Sequence, residues 1–160
     1  MKAIVAVDKN WGIGRDNDLL FSIPEDMKFF RTTTKDKILV YGANTLRSFP
    51  NGSPLKNRIN IVLSTKLQRD DCIVVRSYEE LFRKIKEFNS DDVFVIGGGS
   101  VYKSLLDYCD TVFVTKVDAD GGAEVFFPNL DQLDNWKLES EGHTIESNGY
   151  NIKFTTYIKK

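Results

Sequence analysis

A carboxylate stands in the stretch Ser22–Phe30, SIPEDMKFF, where an amphipathic helix would face inward. Ile23, Met27 and Phe30 follow the 3.6-residue period of an apolar stripe, and Asp26 falls within it. A half-buried carboxylate is costly unless something binds it, which makes Asp26 a candidate for proton transfer or ligand binding. An acid in the first helical turn also complements the helix dipole, and these residues alone favour that plainer interpretation.

Consecutive glycines, Gly97 to Gly99, form a second candidate site within Val95–Leu106, VIGGGSVYKSLL. They come where a buried strand is predicted to end and a helix to begin. Such a turn lets the backbone approach a phosphate, with the helix N-terminal N–H groups pointing at the anion. The segment lacks a full G-x-G-x-x-G, and glycine also serves tight turns for steric reasons, so both interpretations stay open.

The elements that must position these residues follow from apolar patterning. Short apolar runs predict strands at 3–7, 37–42, 58–64, 72–77, 92–98 and 111–117. Helical patterns occupy 24–34, 44–49, 78–88 and 100–108. Capping boxes at Ser22/Glu25 and Ser77/Glu80, with Pro24 in the first turn, indicate two of the helix starts. This alternation predicts an α/β fold of three αβα layers around a mainly parallel sheet.

Two connections add to this plan. The alternating segments 135–142 and 150–160, joined by a turn at Asn148 and Gly149, predict a C-terminal antiparallel hairpin. A long loop from Asp8 to Phe21, containing WGIGRDND, joins the first strand to the first helix. Long loops at strand ends are usually functional, and ligands of open α/β sheets bind at that edge. We therefore expect this loop, Asp26 and the glycines to share one cleft.

Composition narrows the function. The chain has 160 residues, which suits a single domain over 1–160, and its net charge of -1 speaks against nucleic acid or an anionic membrane as partner. Cys72 and Cys109 form no metal or disulfide motif, and His143 is the sole histidine, so we expect no metal and no histidine-based triad. Without a signal peptide or an apolar run of about 18 residues, we expect a soluble, cytoplasmic protein. Catalysis would use carboxylates or a cofactor.

The whole chain resembles the dihydrofolate reductase family through five motifs in the family's order: AIVAVDKNWGIG, IPEDMKFFR, PLKNRINIVLS, VIGGGSVY and VFVTKVD. The resemblance implies an eight-stranded sheet of that fold, and reduction of dihydrofolate to tetrahydrofolate with NADPH, for one-carbon metabolism. It also implies binding of antifolates and a monomeric state.

The resemblance gives each substrate residue a role. Asp26 would bind the 2-amino group and N3 of the pterin, and promote protonation of N5 through water. Thr115 would share its hydrogen bonds, Phe30 would pack on the pterin or benzoyl ring, and Arg58 would bind the glutamate carboxylate. Phe21 would occupy a catalytic position usually held by tryptophan. The implied substrate residues are Val5, Ala6, Asp26, Met27, Phe30, Phe49, Leu55, Arg58, Ile96 and Thr115.

On the cofactor side, the resemblance implies that the glycine turn, its first two residues joined by a cis peptide, lies under the diphosphate. Ser64 and Thr65 would face the 2′-phosphate. The implied cofactor residues are Ala6, Ile13, Gly14, Gly42, Ala43, Asn44, Thr45, Leu63, Ser64, Thr65, Arg76, Ile96, Gly97, Gly98, Gly99, Ser100, Val101 and Tyr102.

The chain departs from the family pattern at three places. Phe21 lacks the ring N–H of tryptophan. Ala43 and Asn44 follow Gly42 where the family has a basic pair, and Ala123, Glu124 and Val125 replace the usual G-D-T. Two alternatives remain: a reductase of the same fold acting on a pyrimidine of riboflavin synthesis, and a nucleotide-binding domain without catalysis. Asp26, Phe30, Arg58 and Thr115 together argue against both.

Overall fold

The protein, studied as a computed structural model, is described over residues 1–16 and 18–160. Its strands are β1 (Lys2–Val7), β2 (Gly12–Arg15), β3 (Asp18–Leu19), β4 (Ile38–Gly42), β5 (Ile59–Leu63), β6 (Ile73–Val75), β7 (Val93–Gly97), β8 (Thr111–Val117), β9 (Val125–Phe126), β10 (Trp136–Glu141), β11 (Ile145–Ser147) and β12 (Tyr150–Lys159). Its α-helices are α1 (Pro24–Thr34), α2 (Ala43–Ser48), α3 (Tyr78–Ile85) and α4 (Gly99–Leu105).

Eight strands of the main sheet follow the order β10-β12-β8-β1-β7-β4-β5-β6, and a ninth, the short β11, pairs with β12 off this path. All neighbours from β8 to β6 are parallel, whereas β12 runs antiparallel to both β8 and β10. The predicted α/β fold, a mainly parallel eight-stranded sheet with an antiparallel C-terminal addition, is confirmed. Among the described residues, no helix has the length and apolar character needed to cross a membrane.

Two apolar cores lie on opposite faces of the sheet, as the alternation of side chains along β4 shows. Val40 belongs to a core that includes Leu81 of α3 and Leu105 of α4. Leu39 belongs to the other core, which includes Leu46 of α2 and the partly buried aromatic rings of α1. Helices therefore cover both faces, which explains why the central strands are apolar without interruption.

The C-terminal hairpin differs from the prediction. The turn at Asn148 and Gly149 joins β11 to β12, and β10 pairs with the later half of β12 with a register shift between Leu138 and Ser140. The long strand β12 thus pairs first with β11 and then, farther along, with β10. The sequence did not show this, because the three residues of β11 are too few to display an alternating pattern.

The segment predicted as a loop from Asp8 to Phe21 also contains strands. In a separate small sheet, β2 pairs with β3 and with β9. The sequence did not predict β2, because β2 contains Gly12 and Gly14 and glycine is depleted in strands. Position 17 of this segment lies outside the described residues.

Helix starts were predicted with mixed success. Ile23 rather than Ser22 is the N-cap of α1, and the Glu25 N–H is met by the Ser147 hydroxyl at 3.4 Å, so the predicted capping box at Ser22 is wrong. The hydroxyl of Ser147, on β11, thus takes the place that was predicted for the Ser22 hydroxyl. The second box is confirmed in its first half, because the Ser77 hydroxyl accepts from the Glu80 N–H at 3.1 Å.

Candidate active site

The first turn of α1 lies against the middle of β8 through one hydrogen bond. The Thr115 hydroxyl, on a residue only 2% exposed, donates to Asp26 Oδ1 at 2.6 Å. Burial raises the pKa of Asp26, and the hydrogen bond from Thr115 opposes that rise without cancelling it. Asp26 is therefore a fixed carboxyl group that holds a proton more readily than an exposed aspartate.

Apolar side chains predicted to bind substrate share one surface. They pack against the core that contains Leu39 and Tyr41 and remain only partly buried. These residues are Phe30, Phe49, Leu55 and Ile96. Ala6 belongs to the same region, because it pairs with Thr115 in the register of β1 and β8. An apolar surface with one carboxylate at its edge suits a flat ring that carries a few N–H donors.

Arg58 lies beside the C-terminal end of α1, where it contacts Thr34. Its Nε donates to Thr34 Oγ1 at 3.2 Å, and Nη1 and Nη2 donate at 2.8 Å to the carbonyl oxygens of Lys56 and Arg31. These contacts fix the plane of the guanidinium, which has five N–H donors in all. Asp26 and Thr34 lie eight residues apart on one helix, about 12 Å at 1.5 Å per residue.

Asn60 is a residue that sequence reasoning missed. It is 7% exposed, and its side chain accepts from the Leu55 N–H at 3.2 Å and donates to the Leu55 carbonyl at 2.8 Å. Its Oδ1 also accepts from the Tyr41 hydroxyl at 2.8 Å. This amide holds the segment that carries Leu55 and Arg58. An asparagine inside the apolar run RINIVLS was the available signal.

The glycine turn between β7 and α4 is crowded by three other elements. Gly97 has φ 128°, which only glycine adopts without strain, and its bond to Gly98 is cis. A Cβ at Gly97 would lie 3.5 Å from the Thr45 hydroxyl, and one at Gly99 would clash with the Val125 side chain. Because these glycines have no side chains, α2, β2 and β9 can lie close to this backbone.

Tyr102 connects this turn to the acid. Its hydroxyl donates to the Ile4 carbonyl at 2.7 Å, and burial followed by the charge of Asp26 raises its pKa. The Tyr102 hydroxyl is thus close enough to Asp26 for their charges to interact. That the glycine turn and Asp26 share one cleft stays a prediction.

Three parallel strands bring the remaining cofactor candidates together. Gly42, Leu63 and Val75, at the ends of β4, β5 and β6, align in register. Just beyond them, Arg76 Nη1 donates to the Ser64 carbonyl at 3.0 Å. The other cofactor candidates lie on neighbouring elements: Ile13 and Gly14 on β2, Ala43 and Asn44 on α2, Thr65 after β5, and Ser100 and Val101 on α4. The substrate candidate Val5 lies on β1.

Two carboxylates, those of Glu124 and Asp8, hold the segments 10–16 and 121–124 through hydrogen bonds from backbone N–H groups. Glu124 Oε1 accepts from the Asp16 N–H at 2.9 Å, while the Glu124 N–H donates to the Gly14 carbonyl at 2.8 Å. Asp8, only 2% exposed, accepts from the N–H groups of Asn10 and Gly12 at 2.8 and 2.7 Å. It also accepts from the Gly121 N–H at 3.0 Å, a role that sequence reasoning missed.

Phe21 and Met27 lie at the margin of this site. Phe21 packs edge-on against Tyr150, with ring centroids 4.9 Å apart. Met27 is 48% exposed and touches the Ser22 hydroxyl through its sulfur at 3.8 Å, so its expected inward orientation is wrong. The inward face of α1 instead uses Phe29, which packs on Phe154 at 4.8 Å between ring centroids.

Comparison with known proteins places these features in context. The family model described as dihydrofolate reductase matches residues 1–159. A dihydrofolate reductase of Bacillus subtilis is 35% identical over 161 aligned residues, covering 98% of this chain and 93% of that protein. One from Haemophilus influenzae is 31% identical, covering 98% and 97%, and one from Staphylococcus haemolyticus is 34% identical, covering 96% and 92%.

Proposed function

Because this chain belongs to the dihydrofolate reductase family and is an enzyme that reduces dihydrofolate to tetrahydrofolate, we propose that NADPH is its hydride donor and Asp26 the acid that binds the pterin. The observation that carries the proposal is the Thr115–Asp26 hydrogen bond beside an apolar surface. The family activity sets aside the two alternatives, a pyrimidine reductase and a domain without catalysis.

Substrate binding uses both ends of α1. Asp26 accepts paired hydrogen bonds from the 2-amino group and N3, and Phe30, Phe49, Leu55 and Ile96 enclose the rings. Arg58, already oriented by Thr34 and two carbonyl oxygens, binds the glutamate α-carboxylate through its outward edge. The roughly 12 Å between the two helix ends suits a pterin at one end and a glutamate at the other. An antifolate with two adjacent N–H donors would use the same carboxylate.

The residues present fit a nicotinamide dinucleotide. Gly97 and Gly98 leave bare backbone beside the Thr45 hydroxyl, where a phosphate could approach. The backbone groups of Ala6 and Ile13 would hold the carboxamide, and Ser64, Thr65 and Arg76 would meet the adenosine end. When bound, NADPH supplies the hydride that reaches C6 of the pterin.

Asp26 assists the protonation of N5 that accompanies hydride transfer. Its raised pKa lets the carboxyl group exchange a proton nearer to neutral pH than an ordinary aspartate does. Through a water molecule it promotes protonation at N5, while Thr115 fixes its orientation. Because Phe21 has no ring N–H, it contributes packing against Tyr150 rather than a hydrogen bond to that water.

We also propose that residues 1–160 act as one domain, as a monomer in the cytoplasm. Support comes from the assembly of the whole site within one chain, with α1, β1, β5, β7 and β8 all contributing. Light scattering of the purified protein during turnover tests the monomer: a particle of about twice the chain mass that retains activity would contradict it.

A direct assay tests the proposed function. Purified protein is mixed with dihydrofolate and NADPH, and the absorbance of the reduced nicotinamide is followed; it is expected to fall with formation of tetrahydrofolate. NADH in place of NADPH is expected to give a lower kcat/KM. Equal kcat/KM for both cofactors would contradict the choice of NADPH, whereas the absence of turnover with either would contradict the assignment of Asp26 and its neighbours.

A further inference from the structure

Tyr41 and Asn60 form a buried polar pair on the face of the sheet that carries the apolar substrate candidates. Leu39 pairs with Asn60 in the register of β4 and β5, and Tyr41 lies two residues after Leu39. Because side chains alternate along a strand, all three lie on one face. Tyr41 is fully buried, and Asn60 is 7% exposed. A polar pair in this apolar core calls for a reason beyond packing.

Four hydrogen bonds use every donor and acceptor of the Asn60 amide. Its Oδ1 accepts from the Leu55 N–H at 3.2 Å and from the Tyr41 hydroxyl at 2.8 Å. Its Nδ2 donates to the carbonyl oxygens of Leu55 and Arg58 at 2.8 and 3.2 Å. An amide has two acceptor lone pairs and two N–H donors, so none is left without a partner. The backbone groups determine which end of the amide is oxygen, and Tyr41 is therefore the donor in its bond.

Arg58 is consequently held at two places. Thr34 and two carbonyl oxygens hold its guanidinium, and Asn60 holds its backbone carbonyl. The amide also bonds to both backbone groups of Leu55, which fixes that residue relative to β5. Leu55 and Arg58 thus depend on one side chain for their backbone positions.

The ring of Tyr41 contacts a third substrate candidate. It meets the Phe49 ring edge-on, with centroids 5.2 Å apart. The Thr115–Asp26 hydrogen bond, in contrast, involves neither member of the pair. Tyr41 therefore supports the part of the site proposed to hold the benzoylglutamate, and it makes no hydrogen bond to the acid proposed to bind the pterin.

The hydroxyl of Tyr41 is a permanent donor, because burial raises its pKa above the usual range of tyrosine. Phenylalanine at this position would keep the ring against Phe49 and remove only the donor. One lone pair of Asn60 Oδ1 would then lie in the interior without a partner, which destabilises the amide in its present position.

We propose that Tyr41 is a positioning residue for the benzoylglutamate tail of dihydrofolate, acting through the Asn60 amide on Leu55 and the backbone of Arg58. The proposal rests on the role in glutamate binding proposed above for Arg58. It makes affinity for the tail depend on a buried hydroxyl that does not touch the substrate, and it leaves affinity for the pterin ring independent of that hydroxyl.

The test compares two ligands that share the pterin ring and differ in the tail. Dihydrofolate and 6-methyl-7,8-dihydropterin, which lacks the benzoylglutamate, are titrated into wild-type protein and Tyr41→Phe. The variant is expected to bind dihydrofolate about three- to tenfold more weakly and the tail-free pterin less than about twofold more weakly. In turnover, KM for dihydrofolate should rise by the same factor with kcat unchanged, because only binding of the tail is affected.

Tyr157→Phe is the matched control, because it removes another buried tyrosine hydroxyl. Tyr157 is 1% exposed and belongs to the core on the opposite face of the sheet, and its hydroxyl donates to Asp131 Oδ1 at 2.7 Å. The control is expected to melt at a lower temperature than the wild type and to keep both affinities. A loss of dihydrofolate affinity equal to that of Tyr41→Phe would show a general effect of stability and overturn the proposal.

A double-mutant cycle tests whether Tyr41 acts through Asn60. Asn60→Ala is expected to weaken dihydrofolate binding, and Tyr41→Phe added to it should cause no further loss. A further loss equal to that in the wild-type background would overturn the action through Asn60.

The outcomes separate this inference from the proposed function. Equal losses for the two ligands in Tyr41→Phe, or no loss for dihydrofolate, would overturn the role of Tyr41 and leave the tail site intact, provided that the wild type prefers dihydrofolate. Equal wild-type affinities for dihydrofolate and the tail-free pterin would contradict both the proposed tail site and the role of Tyr41.

Discussion

Thr115 on β8 donates a 2.6 Å hydrogen bond to Asp26 on α1, joining residues that are 89 positions apart in the chain. The contact keeps a carboxyl group at the edge of an apolar surface, where burial raises its pKa. Such a group is useful for binding a pterin but unfavourable for folding when it is ionised. A cost in stability and a gain in function are therefore expected at the same residue.

Asp26→Asn is expected to stabilise the ligand-free protein at neutral pH. The folded-state pKa of Asp26 lies above its ordinary value of 3.8, so between those two pKa values the folded protein binds more protons than the unfolded chain. Stability of the wild type accordingly falls as pH rises through that window, and each unit of difference is worth about 1.4 kcal/mol. Urea unfolding of both proteins should show the variant more stable at pH 7 and the advantage vanishing below the unfolded pKa. An advantage that does not change with pH would show that ionisation of Asp26 is not its cause.

Arg58→Leu is expected to weaken dihydrofolate binding by roughly 2 to 5 kcal/mol, because it removes one partner of a desolvated charge pair. Cofactor affinity should stay nearly intact, since the hydrogen bonds of Arg58 join it to Thr34, Lys56 and Arg31 and not to the glycine turn. Calorimetric titration with each ligand measures both effects. Arg58→Lys serves as control for charge without the fork, and thermal melts identify any general loss of structure, because Arg58 also bonds to Thr34 and two carbonyls. Comparable losses for NADPH and dihydrofolate in a folded variant would place the glutamate elsewhere.

Ala43→Arg is expected to widen the preference for NADPH over NADH. A charge-assisted hydrogen bond is worth about 1.5 to 3 kcal/mol, or roughly ten- to a hundredfold in affinity. The measurement is the ratio of kcat/KM for the two cofactors in wild type and variant, with Ala43→Gln as an uncharged control of similar length. A ratio that does not move would mean that the start of α2 does not contact the 2′-phosphate.

Asp8→Asn is expected to destabilise the segments 9–16 and 118–124, which Asp8 holds through hydrogen bonds from their backbone N–H groups. The carboxylate accepts from three backbone N–H groups, and an amide would present its own N–H to one of them. A buried donor left without an acceptor costs about 1 to 3 kcal/mol. Limited proteolysis and hydrogen exchange should show faster opening of residues 9–16 and 118–124, with the core strands unchanged. Asp118→Asn, an exposed acid on the same connection, is the control; equal effects of the two variants would contradict a specific role for Asp8.

Sequence patterning predicted what depends on continuous local signals. The fold was predicted from the uninterrupted apolar runs of β4 and β7 and from the helical period of α1. These runs are apolar because helices cover both faces of the sheet. The place of Asp26 on the helix made it only a candidate, since those residues alone favoured a solvated first-turn acid, and its role as a site residue came from the family resemblance. The plainer explanation, a fully solvated first-turn acid, fails because the Asp26 carboxyl group is partly buried and accepts a hydrogen bond from Thr115.

Other features depend on contacts between distant residues, and the sequence did not reveal them. Ser147 meets the N-terminus of α1 in place of Ser22. Asn60 and Asp8 are polar groups whose partners are backbone atoms, so residue types alone do not identify them.

The pH dependence of dihydrofolate reduction by Asp26→Asn tests the central claim most directly. With NADPH saturating, the rate of hydride transfer at pH 7 should fall by about a hundred- to ten-thousandfold, the usual contribution of a positioned acid or base. NADPH affinity and the fold should be retained. The residual rate should rise toward low pH, where the substrate arrives already protonated at N5. Turnover at pH 7 equal to that of the wild type would contradict the assignment of Asp26.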